Sequence, residues 1–186
     1  MLARTVLIRG LVLLALTATL ALPTRADDLR NVKRGEPVPA YRLPTLESTI
    51  VESEALKGST VVIVCLSAGQ RRSELAAMES FNIWQKLDNE QVKLIHVTAD
   101  VIQKSYFEDF RQERGIAVPL AFDADRSFYG KLGLIVLPTT IIIDAEGKLA
   151  QVISLHSSKY EHTLDAYIRH TLGQLTDKEL AKSLHI

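Results

Sequence analysis

Apolar runs alternate with amphipathic segments along most of the chain. The runs at 60–66 and 92–97 are rich in β-branched residues, which predicts two strands that are buried on both faces of a sheet. Between them, apolar residues recur at helical spacing from Ser73 to Leu87, and Ser73 is the expected N-cap of that helix. A further helix is predicted at 101–114, where Gly115 would end it.

The rest of the chain predicts shorter elements around these two strands. They are an N-terminal hairpin from 39–43 and 49–51, a short strand at 119–122, a short helix at 125–132, strands at 137–144 and 149–155, and a helix at 159–173. Alternating strands and helices predict an α/β domain whose central sheet is covered on both faces. Because Glu146-Gly147-Lys148 forms a tight turn between two strands, the sheet should contain both strand directions.

The first 26 residues have the layout of a secretory signal peptide. Arg4 and Arg9 form a positive segment before an apolar run of 13 residues at 10–22, and Thr24 and Ala26 place small side chains at a cleavage site. Since a bilayer span needs roughly 20 apolar residues, we expect cleavage and no stable membrane anchor, with an uncleaved anchor as the alternative. The remainder is predicted to comprise an extended lead-in at 27–38, a single domain at 39–173 and an amphipathic tail at 174–186.

The amino-acid composition excludes several classes of function. Without the first 26 residues the chain has 19 basic and 22 acidic residues, a net charge of −3, so it lacks the basic excess of a nucleic-acid-binding protein. Cys65 is the only cysteine, which excludes an intramolecular disulfide and a cysteine-rich zinc site. The five histidines show no metal-binding spacing, so we expect neither a metal nor another cofactor.

Four segments resemble the thioredoxin-like redoxins of the AhpC/TSA and TlpA/ResA type, over about residues 35–172. They are Gly35 with Pro39-Ala40-Tyr41-Arg42-Leu43, the turn Leu56-Lys57-Gly58, Glu74, and Val136-Leu137-Pro138-Thr139-Thr140 with Gly147-Lys148. The resemblance implies a thioredoxin-like fold with a central mixed β-sheet flanked by helices and an N-terminal β-hairpin extension. It also implies a cis-proline loop at Leu137, Pro138 and Thr139, whereas a trans proline beside an edge strand is the alternative.

The thiols of these redoxins are missing. With Glu74 as the reference, the Cys-x-x-Cys positions fall on Ala68, Gly69, Gln70 and Arg71, and the peroxidatic cysteine of a peroxiredoxin also falls on Arg71. Cys65 lies inside the predicted buried strand, where burial raises the pKa of a thiol and blocks access to it. We therefore expect an inert core cysteine and no catalytic residue; a residual redox role of Cys65 is the alternative.

Two functions from different classes remain. The first is a non-catalytic module in the periplasm that binds a protein partner or an anionic ligand through residues 68–72 and 136–139. Arg71 and Arg72 would supply the positive charge at the start of a helix, and residues 134–137 an apolar rim. The second is the divergent thiol-disulfide oxidoreductase or peroxiredoxin-type enzyme that the resemblance implies. The cysteine count favours binding.

Overall fold

The computed structural model describes residues 29–88 and 90–185. The predicted signal peptide therefore lies outside the described residues. Within these two ranges, no helix combines the length and the apolar character required to cross a bilayer.

The described elements follow the predicted order. The strands are β1 (Arg42–Pro44), β2 (Ile50–Glu52), β3 (Thr60–Leu66), β4 (Val92–Thr98), β5 (Leu120–Phe122), β6 (Thr139–Ile143) and β7 (Leu149–Ser154). The α-helices are α1 (Arg71–Trp84), α2 (Lys104–Arg114), α3 (Ser127–Leu132), α4 (Tyr160–Thr171) and α5 (Asp177–Leu184). Short 3-10 turns follow β2 and precede α2.

Five strands form the central sheet in the order β5-β4-β3-β6-β7. β3 pairs in parallel with β4, to which a helical crossover joins it, and antiparallel with β6. A tight turn makes β6 and β7 antiparallel. All seven residues of β3 are buried, as the continuous apolar run predicts for a central strand. The sheet is thus mixed, which confirms the predicted architecture.

Alternating residues of β3 divide the core into two layers. Val62 and Val64 face a layer formed with α1, α2 and α4, where Phe81, Phe107 and Leu164 are buried. Residues on the other face, including Cys65, pack against α3 and β1 through side chains that include Leu43, Phe128 and Leu132. Because both faces are covered, the edge formed by the ends of the strands carries the loops that remain accessible.

The hairpin of β1 and β2 lies beside the central sheet rather than in it. Leu43 pairs with Val51 within the hairpin, and an isolated bridge joins Thr45 to Ala121 of β5. The N-terminal hairpin extension is therefore confirmed, although its first strand begins at Arg42 and not at Pro39.

The lead-in packs against the domain, which its polar sequence did not predict. Leu29 and Val32 are buried in the core, and the N–H groups of Arg30 and Asn31 donate to carbonyl oxygens of Gly133 and Leu132. Farther along, the Gly35 N–H donates to the Leu149 carbonyl at 2.8 Å. Two apolar side chains among many polar ones give no periodic signal, so this packing was missed.

Three predicted helix starts were wrong, among them that of α3, which begins at Ser127 and not at residue 125. Helix α1 begins at Arg71 with Gln70 as its N-cap, so Ser73 lies in the first turn and is not the cap. A 3-10 turn at Val101–Gln103 replaces the predicted first turn of α2, which begins at Lys104. Helix ends are set by local hydrogen bonds, which a periodic apolar pattern does not specify.

Candidate functional site

One edge of the sheet brings together all the predicted site loops. The register pairs Leu66 with Thr98 and Cys65 with Thr139, so the loop after β3 lies next to the loop before β6. The peptide bond between Leu137 and Pro138 is cis. Residues 68–71 and the cis-proline loop, which are far apart in the sequence, therefore form one surface.

Asp100 fixes the loop that follows β3. One oxygen of its carboxylate accepts hydrogen bonds from the Ala68 N–H at 2.8 Å and from the Ser67 hydroxyl at 3.0 Å. Gly69 has a φ of 66°, a left-handed conformation that a side chain disfavours. These hydrogen bonds attach the loop after β3 to the residue that follows Thr98 and Ala99 at the end of β4. The sequence analysis did not identify Asp100, whose position after the neighbouring strand was the available signal.

Ser73 and Gln70 stabilise the start of α1 without capping it in the predicted way. The Ser73 hydroxyl donates to the Gln70 side-chain oxygen at 2.6 Å and accepts from the Ser67 N–H at 3.0 Å. The Gln70 carbonyl accepts from the N–H groups of Ser73 and Glu74. These bonds join the loop to the helix, so the side chain of Gln70 occupies a defined place at the site.

Arg71 and Arg72 lie at the exposed start of α1. The Arg71 guanidinium pairs with the Glu74 carboxylate at 3.1 Å, and 67% of the Arg71 side chain is exposed. The Tyr106 hydroxyl donates to the same carboxylate at 2.8 Å; this bond, and then Arg71, lower the pKa of Glu74. Within residues 29–88 and 90–185, Arg72 forms no ion pair. The first guanidinium is thus partly neutralised and the second faces solvent.

Cys65 lies in the centre of β3 with no exposed surface. Burial raises the pKa of its thiol; a hydrogen bond with Tyr129 opposes this effect and the nearby Asp123 carboxylate adds to it. The thiolate is the reactive form of cysteine, so a buried thiol of raised pKa is a poor nucleophile. The structure therefore confirms that Cys65 lies in the core, and its inertness stays a prediction.

A groove of about 660 Å³ runs along the predicted site surface. The residues that line it include Ser67, Gln70 and residues 134–137, so the predicted apolar rim forms part of it. Two basic residues that the sequence analysis did not identify, Arg30 and Arg126, also line the groove, whereas Arg71 and Arg72 do not. They were missed because one lies in the lead-in and the other in the turn before α3.

No cluster suited to a metal ion occurs in the part of the chain that the structure describes, where no three His, Cys, Asp or Glu residues converge. Asp123 is buried and accepts hydrogen bonds from the N–H groups of Phe128 and Tyr129, so it stabilises the start of α3. A smaller cavity of about 210 Å³ lies at the opposite end of the sheet, between residues that include Tyr41, Leu56 and Ile143.

A mixed five-stranded sheet with helices on both faces and a cis-proline beside the first helix defines a thioredoxin-like protein. The model of the AhpC/TSA family matches residues 34–152. The chain belongs to the AhpC/TSA family.

Curated and solved relatives support the same fold. The thiol-disulfide oxidoreductase ResA of Bacillus thuringiensis (strain Al Hakam) is 24% identical over 142 residues, which cover 76% of this chain and 80% of ResA. A putative thiol:disulfide interchange protein DsbE from Chlorobium tepidum is 18% identical with a TM-score of 0.70, covering 76% of this chain and 99% of that one. The peroxidoxin BcpB from Mycobacterium tuberculosis is 23% identical with a TM-score of 0.58, and the match covers 83% of this chain and 98% of BcpB.

Proposed function

We propose that this protein is an exported, non-catalytic binding module built on a redoxin domain. The single observation that carries the proposal is that the described chain has no accessible thiol. The chain has one cysteine, Cys65, which is fully buried, and the four positions of the redox motif are Ala68-Gly69-Gln70-Arg71. Thiol–disulfide exchange requires an accessible thiolate to attack a disulfide sulfur. An intramolecular disulfide requires a second cysteine, which this sequence lacks.

The accessible features of the site support binding. Asp100 holds the loop before α1, and the groove beside it offers an amide, a hydroxyl and aliphatic side chains in one place. A pre-formed groove reduces the entropy that a protein loses when it binds. The competing function, a divergent thiol-disulfide oxidoreductase or peroxidase, is favoured only by the names of the relatives.

The first test measures thiol chemistry in the mature chain. We expect insulin disulfide reduction and thiol-dependent peroxide consumption to remain at the uncatalysed rates, and the Cys65→Ser variant to behave like the wild type. As a matched positive control, Ala68→Cys combined with Arg71→Cys introduces two thiols at the motif positions, and we expect it to gain insulin reductase activity. Turnover by the wild type that Cys65→Ser abolishes would show that the protein is an enzyme.

The second test concerns export. The basic residues, the apolar run at 10–22 and Thr24-Arg25-Ala26 support cleavage after Ala26 and release into the periplasm. In a bacterium with two membranes, we expect osmotic shock to release a chain whose N-terminal residue is Asp27. Ala26→Arg should leave an uncleaved chain in the membrane fraction, since the cleavage site needs a small residue. Retention of the wild-type chain, with Met1 intact, would instead support an anchor.

A further inference from the structure

Exposed aliphatic side chains concentrate at the edge of the sheet that carries the groove. Among the described residues, five large hydrophobic side chains are exposed, and four of them follow or precede strands at this edge: Val101, Ile102, Ile135 and Leu155. Ile102 is 92% exposed and Ile135 is 54% exposed. Of these four side chains, Ile135 lines the groove itself, and exposed apolar side chains beside a groove are typical of an interaction surface.

The charge of the groove is opposite to that of the molecule. The chain from Asp27 onward has a net charge of −3, yet the residues that line the groove include Arg30 and Arg126 and no carboxylate. Both arginines are exposed, and neither forms an ion pair with another residue of the ranges 29–88 and 90–185. The two guanidinium groups are therefore available to a ligand of negative charge.

The backbone holds both arginines in place. Arg126 adopts a left-handed conformation with φ of 58°, and its N–H donates to the Asp123 carbonyl at 3.0 Å. The Arg30 N–H donates to the Gly133 carbonyl at 3.1 Å. A Cβ atom on Gly133 would lie 2.6 Å from the Cβ of Arg30, so the lead-in reaches the groove only because residue 133 is a glycine.

From this arrangement we infer that the groove binds an extended polypeptide segment of a partner protein that combines acidic and aliphatic side chains. The carboxylates pair with Arg30 and Arg126, and the aliphatic side chains contact Ile135 and its neighbours. A concave groove of about 660 Å³ fits a peptide segment better than a flat lipid surface. The inference rests on the proposed binding function and adds the chemistry of the partner.

The test uses labelled peptides of about nine residues, a length that forms an extended segment of roughly 30 Å. One alternates Leu with Glu, its counterpart alternates Leu with Lys, and fluorescence anisotropy measures their affinities for the full mature chain. We expect the acidic peptide to bind about tenfold more tightly than the basic one at low salt, and the preference to decrease at high salt. Equal binding of both peptides would overturn the inference.

Charge-reversal variants locate the binding surface. We expect Arg30→Glu with Arg126→Glu to weaken binding of the acidic peptide about tenfold or more. Lys57→Glu with Lys148→Glu makes the same change in net charge at the opposite end of the sheet, and should alter affinity less than about twofold. If the distal pair weakens binding equally, the attraction is non-specific and the inference is wrong.

Two further comparisons test whether binding occurs at another site and whether the partner is a membrane. If Arg71→Glu with Arg72→Glu abolishes binding while the Arg30 and Arg126 variant retains it, the groove is not the site, although the binding function stands. If phosphatidylglycerol vesicles, rather than peptides, bind the wild type and lose this binding in the groove variant, the partner is a membrane and the inference is overturned. Thiol turnover in the same preparation would refute the proposed function independently of these results.

Discussion

His96 is a titratable residue enclosed by the core. It lies in β4 with 1% of its surface exposed, and its Nε2 is 3.2 Å from the Ser80 hydroxyl. Burial, with a smaller effect of the Arg111 charge, lowers the pKa of His96 to about 3. Between about pH 6.5 and pH 3, where an exposed histidine is charged, the imidazole of His96 therefore stays neutral in the folded protein.

The pKa of His96 predicts how stability depends on pH. Between about pH 6.5 and pH 3 the unfolded chain binds a proton at this residue and the folded chain does not, so acid favours unfolding. We expect His96 to lower the free energy of unfolding by about 2 kcal/mol between pH 7.5 and pH 5.

Urea unfolding of the wild type and of His96→Gln across this range measures the effect. The variant should lose most of the pH dependence above pH 5, since the depressed carboxyl groups such as Glu47 act at lower pH. In the folded wild type, the ring resonances of His96 should not shift above pH 5. A titration of these resonances near pH 6.5 would contradict the prediction.

At the scale of elements, the residues at the start of α1 differ from the redoxin pattern. Redoxins place a cysteine at this helix start because the positive end of the helix dipole stabilises a thiolate. Here Arg71 adds a positive charge, which Glu74 partly neutralises at 3.1 Å. The loop and helix keep their positions through Ser67, Ser73 and Asp100, none of which depends on a thiol. The loop and the start of α1 are therefore held together without a thiol.

At the scale of the molecule, the two terminal segments contribute differently. The lead-in buries Leu29 and Val32 in the core and hydrogen-bonds to the turn between β6 and β7. Helix α5 has no buried residue and packs against α4, although a capping box between Thr176 and Glu179 stabilises its start. The fold thus depends on the first segment more than on the last.

Deleting each terminal segment tests this difference. Removal of residues 27–38 should lower the free energy of unfolding by about 3 kcal/mol or more, since two buried aliphatic side chains contribute roughly 1.5 kcal/mol each. Removal of residues 174–186 should cost about 1 kcal/mol, because partly exposed side chains lose less contact area. Urea denaturation of the two shortened chains gives both values. A larger loss from the C-terminal deletion would show that the tail belongs to the cooperative domain.

Much of the fold followed from local pattern. The continuous run at 60–66 and the run at 92–97 specified buried strands, and the turn at Glu146-Gly147-Lys148 specified a closing hairpin and hence a mixed sheet. The division of the chain at residues 39 and 173 stays a prediction. The helix starts were less accurate, because Gln70 and Ser73 can both offer a side-chain oxygen and only the three-dimensional loop distinguishes them.

The sequence by itself determined the number of cysteines, which does not depend on folding and excludes an intramolecular disulfide. The resemblance of its motifs to those of redoxins also located the loops at 68–71 and 137–139. Only the tertiary structure decided which charges face the groove. Arg30 and Arg126 are 96 positions apart, and the packing of the lead-in over Gly133 brings them to one surface. Such a contact depends on close packing between distant segments, for which a single sequence carries no periodic signal.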